Sequence, residues 1–294
     1  MSLTYSTFSK PLGINKLIIL DAVPEDEQQT ALHLVDYLHD ISVRAGVTHI
    51  RINSADEFIE NLQLIIDSFI LKLGFKPIIH IEAHGSPSAI EFPDGSLLLW
   101  SEVAKFLRLI NALMSNTLIV FIATCHAVNY LTSNHTIHDF APAYLCVSPK
   151  EKIYPFEIEE ATRNFYKTYI QTGDLNLACK KLDISKIFYY NSDFIFHKSF
   201  LTLITTLHRG KGFATRKEEL ISRAVFTISD IWNEWDDAKK SDFLKCSRQF
   251  LKTKLKSRES IKNYFDFYST QFLGYARDDV FEEIFSHYAQ NNHE

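Results

Sequence analysis

Residues 117–124, TLIVFIAT, form a run without charge or polar alternation, and such a run has to be covered on both faces. A strand with one wet face alternates apolar and polar residues. A continuous apolar run belongs inside a mostly parallel sheet with helices on either side. Three further segments read as strands: 16–20 (KLIIL), 47–52 (VTHIRI) and 77–83 (PIIHIEA). Helical patterns lie between them. Residues 25–41 carry Ala31, Leu34, Val35 and Leu38 at helical spacing, and 54–73 opens on Ser54 with Asp56 and Glu57 in its first turn. Ser101 reads as the N-cap of a helix over 102–114,. Repetition of this kind predicts a doubly wound α/β sheet.

Two more strands are expected at 143–148 and 186–190, giving about six in all, with helices at 157–170 and 175–182. Asp94 and Gly95 read as a hairpin turn in the connection after the third strand,. Past about Leu201 no strand pattern remains. The expected organisation is therefore an α/β domain over 1–200 and a helical region over 201–294, entered through a loop at 209–212.

Composition narrows the function classes. A formal net charge of -5 argues against a general nucleic-acid binder,, and the basic residues between 239 and 262 read as the solvated face of helices. Four cysteines without CxxC spacing argue against a zinc ribbon or a disulfide framework,. The first residues lack a signal-peptide core and no apolar run reaches membrane-spanning length,. The expectation is a cytoplasmic protein with reduced thiols and no membrane or direct nucleic-acid partner. Trp232 and Trp235 read as core residues, as do Cys146, Cys179 and Cys246. His135 and His138 lack a further ligand for a metal site.

Two strands end in residues able to do chemistry. The third gives IIHIEAHG, with His84 and Gly85 past its carboxyl end; the fourth gives LIVFIATC, with Cys125 past its own. In an open α/β sheet, ligands bind beyond the carboxyl ends of the strands. If the two strands are neighbours, an imidazole stands beside a thiol there. A thiol with a pKa of about 8.5 is mostly protonated at neutral pH, and an imidazole can take its proton as it attacks. Gly85, without a Cβ, lets a backbone N–H approach a substrate carbonyl closely.

Hydrophobic strand, His-Gly, spacer, hydrophobic strand, small residue and Cys is a pattern that resembles the caspase-like cysteine peptidases. IATCHA stands where caspases have QAC-x-G. The sequence is most similar to the bacterial branch called CHAT, through residues 86–107 (SPSAIEFPDGSLLLWSEVAKFL) and 161–182 (ATRNFYKTYIQTGDLNLACKKL). The resemblance spans roughly residues 15–198 and implies a caspase-like three-layer sandwich. It implies Cys125 as nucleophile, His84 as general base, and backbone N–H groups of Gly85 and Cys125 as an oxyanion hole. No cofactor or metal is implied.

The expected activity is hydrolysis of peptide bonds in a protein substrate, with specificity loops near 127–141 and 149–156. The resemblance also implies an effector in bacterial defence or cell death, released by a regulatory or sensor protein partner. Two readings stand against it: a catalytically silent module that keeps the fold for interaction, and an α/β hydrolase acting on small thioesters or amides.

Overall fold

Successive residues of the central strands enter opposite apolar layers. The computed structural model describes residues 12–41, 46–71, 74–127, 137–208 and 210–290. It divides the chain into two compact units, the first ending at Ile195 and the second beginning at Phe196.

The first unit alternates β1 (Lys16–Ala22), α1 (Thr30–Asp40), β2 (Gly46–Arg51), α2 (Ala55–Leu71) and β3 (Pro77–Gly85). A short hairpin, β4 (Ala89–Glu91) and β5 (Leu97–Leu99), precedes α3 (Trp100–Leu113) and β6 (Ile119–Ala123). Then come β7 (Leu145–Pro149), α4 (Pro155–Thr172), α5 (Leu175–Lys180) and β8 (Ile187–Asn191). The main sheet runs β2-β1-β3-β6-β7-β8, and β4 pairs with β3 and β5. The sheet therefore has eight strands where about six were expected, the additional two being the hairpin. All main-path neighbours are parallel except β7 and β8.

The first unit is a three-layer sandwich. Ile18, Leu20, Ile79, Ile81, Val120 and Ile122 pack against α2 and α3. Leu17, Ile19, Ile78, Ile119, Phe121 and Val147 pack against α1, α4 and α5 on the other face. The crossovers out of β1 and β2 lie on opposite faces, so strand order reverses between β1 and β3. That reversal is a switch point, and the carboxyl edge beside it is the usual place for a ligand in such a sheet.

Three helix boundaries differ from expectation for local reasons. α1 starts at Thr30 rather than near 25, because side chains of Asp21 and Gln29 take up the backbone groups of the intervening loop. α3 starts at Trp100 with Leu99 at its N-cap and no side-chain cap, so Ser101 lies inside the helix. Residues from Gly210 onward are helical, and Gly212 packs against the Thr206 carbonyl, a close approach that any Cβ would prevent. The Asp94–Gly95 turn forms as expected, with Gly95 at φ +83 and its N–H donating to Phe92 O.

α6 (Ser192–His208) carries the chain into the second unit, where the described residues form only helices: α7 (Gly210–Thr227), α8 (Ser229–Glu234), α9 (Asp237–Lys254), α10 (Arg258–Leu273) and α11 (Asp278–Gln290). Its core is aromatic. Phe196, Phe200, Phe265 and Phe272 meet at ring separations of 5.3–6.2 Å. α8 and α9 bury no residue. Trp232 and Trp235 are thus half-buried against Phe243 rather than in a core, and Cys246 is exposed. Cys146 and Cys179 are buried, as expected. Among the described residues no helix is long and apolar enough to cross a membrane.

Candidate active site

β3 and β6 are neighbours, and their register pairs Glu82 with Ala123. His84 and Cys125 each lie two residues further on, at the same level of the carboxyl edge. The contact there is close. A Cβ added to Gly85 would overlap the Thr124 methyl and lie 2.7 Å from the Cys125 carbonyl oxygen. The backbones of Gly85 and Cys125, the pair assigned to the oxyanion hole, therefore touch. Ser86 N–H donates to Ala89 O at 2.9 Å. By the alternation of an antiparallel ladder, the Gly85 N–H faces away from β4, on the side of β6.

Cys125 occupies the corner of a tight turn. Ala127 N–H donates to Thr124 O at 3.3 Å, and His126 has φ +60. Positive φ at the third turn residue usually calls for glycine or asparagine; a histidine there costs about 1 kcal/mol or more. Strain retained beside a reactive side chain is a common mark of a functional turn. The turn leaves Cys125 partly exposed, whereas Cys146 and Cys179 are buried. Burial pushes the Cys179 thiol up to about 12 and drives Cys146 higher still.

His84 is half-exposed and holds Glu27, in the loop after β1: Nε2 lies 2.9 Å from Glu27 Oε1. An ionised carboxylate only accepts, so Nε2 carries the hydrogen. In the neutral ring Nδ1 then keeps its lone pair, able to accept a proton. Glu27 belonged to no motif; the sequence placed it in a helix that starts three residues later. His84 and Glu27 thus bridge the carboxyl ends of β1 and β3.

Below His84 runs a buried polar stripe. Glu82 accepts from Thr30 Oγ1 and lies 2.8 Å from His80 Nε2, while His80 Nδ1 lies 3.0 Å from the Tyr166 hydroxyl. Burial, together with the charge of Glu82, keeps Tyr166 far above the ordinary phenol range. Its hydroxyl stays protonated and can donate to His80, which in turn donates to Glu82. His80, Glu82 and His84 alternate along β3, so they share the face toward α1 and α4. That period-two polar pattern was present in IIHIEAHG and is the signal that could have revealed the stripe.

Of the two expected specificity loops, residues 128–136 and with them His135 lie outside the described residues. The other follows β7 and presents Tyr154 and Phe156, 65% and 63% exposed, stacked at 6.0 Å. Among the described residues no three His, Cys, Asp or Glu side chains are grouped to hold a metal ion. In comparisons with known proteins, no family model and no curated protein matches the chain.

Proposed function

We propose that the chain is a cysteine endopeptidase whose nucleophile is Cys125 and whose general base is His84. The observation that carries this reading is the contact of Gly85 with Cys125 at the carboxyl edge, beside the sheet's switch point. In the reaction, Cys125 Sγ attacks the scissile carbonyl and its proton passes to His84 Nδ1. Backbone N–H groups of Gly85 and Cys125 take the negative charge of the tetrahedral intermediate; one such donor is typically worth about 3 kcal/mol. The C–N bond breaks, His84 returns the proton to the leaving amine, and water hydrolyses the thioester with His84 again as base.

Tyr154 and Phe156 fit as part of the surface that selects the substrate. The helical unit is read as the receiver of a regulatory protein partner, since Phe226, Ile231 and Phe250 are exposed there. A role as a regulated effector in the cytoplasm accords with both.

The test is digestion of a diverse peptide library by the full chain beside Cys125→Ala. Cleavage by the wild type alone supports the reading. Equal cleavage by both overturns it. If neither cleaves and a thiol-directed electrophile does not favour Cys125 over the exposed Cys246, the fold serves as a binding module instead.

A further inference from the structure

The ion pair between Glu27 and His84 is about half-exposed on both sides, and such a pair has little strength of its own to hold two side chains in one geometry. What surrounds Glu27 is different. The loop that carries it, residues 23–29, is fastened at both ends and at Glu27 itself. Asp21, fully buried, accepts the Val23 N–H at 3.1 Å. Arg51, the last residue of β2, donates to Val23 O, to Asp21 Oδ2 at 2.9 Å and to Gln29 Oε1 at 3.1 Å. Gln29 turns its amide nitrogen back on the loop, donating to Pro24 O at 2.7 Å and to the backbone oxygen of Glu27 at 2.9 Å. The Glu27 N–H closes a turn on Pro24 O at 3.1 Å. At the far end Thr30 is tied to buried Glu82, and Gln28 to Glu159 of α4 at 2.9 Å.

The backbone of Glu27 is thus bound at both its N–H and its carbonyl, and among the described residues its side chain has one partner, His84. A loop needed only to join β1 to α1 does not need a planar guanidinium to clamp it, nor a glutamine to cross-link it. We propose that Glu27 is a positioning residue that sets the ring of His84 with Nδ1 free toward Cys125, and that the Arg51–Gln29 latch holds Glu27 in place. The proposal rests on the reading of Cys125 and His84 as nucleophile and base. Glu27 touches no substrate in this scheme; it acts through His84. Orientation is the function, so an acceptor oxygen at the same place suffices and the charge does not.

The experiment measures the rate at which iodoacetamide alkylates Cys125 in the full chain, followed by mass spectrometry, for the wild type, His84→Ala, Glu27→Ala, Glu27→Gln and Gln29→Ala. A misplaced base commonly loses ten- to a hundredfold. Glu27→Ala is expected to slow alkylation about tenfold with an unchanged melting temperature, and Glu27→Gln to restore the rate to within about threefold. Gln29→Ala is expected to slow it in the wild-type background and to add nothing in Glu27→Ala. If His84→Ala slows the reaction and Glu27→Ala does not, the positioning role is wrong while the base assignment stands. If Gln29→Ala slows it equally in both backgrounds, the latch is wrong. If His84→Ala changes nothing, the peptidase reading fails and takes the positioning role with it. Where peptide cleavage is measurable, Glu27→Ala lowers kcat and leaves KM unchanged.

Discussion

At position 85 an added methyl would overlap the Thr124 side chain and press on the Cys125 carbonyl oxygen, so Gly85→Ala has to move β3 or the turn after β6. Overpacking of this kind typically costs about 1–3 kcal/mol. The expected outcome is a loss of that size in urea unfolding, together with slower alkylation of Cys125. The thiols separate in the same assay. At pH 7, Cys125 and exposed Cys246 are expected to react, while buried Cys146 and Cys179 wait for unfolding. Labelling of Cys179 in the native protein would contradict its burial. Not all of this was legible beforehand. The order His-Gly, strand, Cys was written in the sequence, because strand ends are marked by where apolar runs stop. The exposure of Cys246 was not: α9 has apolar residues at helical spacing, and only the tertiary structure reveals that Phe243, Leu244 and Leu251 are partly covered while Cys246 and Phe250 are left exposed.

Between α3 and β6 the chain turns through Ser115 and Asn116, both with positive φ, at 54 and 56. The buried side chain of Asn111 organises this turn. Its Nδ2 donates to Asn116 Oδ1 at 2.9 Å and to Ala141 O at 2.8 Å, and its Oδ1 accepts from Leu118 N at 3.0 Å. Asn111→Ala takes this partner from the Leu118 N–H and the Ala141 carbonyl, while Asn116 Oδ1 keeps the Ser192 hydroxyl. At about 1–3 kcal/mol for each buried orphan, a loss of about 2–4 kcal/mol is expected, read as a lower urea midpoint at unchanged slope. A smaller change would mean that water replaces the amide. Helices and strands here were readable from periodicity, since α2 and α3 repeat apolar residues on one face. The loop after β1 was not, because residues 25–29 are compatible with a helix. What keeps them out of one is contact with Asp21, Arg51 and Gln29, partners that no local pattern specifies.

Within the whole chain, a partly buried imidazole ties the stability of the second unit to pH. His197, in the second unit, is partly buried with Nε2 lacking a partner among the described residues, and burial holds its imidazole below the ordinary 6.5. The unfolded chain therefore binds the proton more readily than the folded one. The His197 contribution is complete above about pH 6.5 and is lost as pH falls below it. Thermal unfolding at pH 7.5 and 5.5 is expected to show a larger drop for wild type than for His197→Phe; equal drops would remove His197 as the cause. In the first unit the polar ladder of β3 has a different reach. Were β3 to pair one residue out of step with β1 and β6, His80 and Glu82 would swing into the layer lined by Ile18, Leu20 and Val120, far from Thr30 and Tyr166. A carboxylate left there unpaired would be intolerable. The ladder thus works as an indexing mark for the register of the sheet. The shared level of His84 and Cys125 is indexed by the interior of the sheet rather than by the edge where they stand.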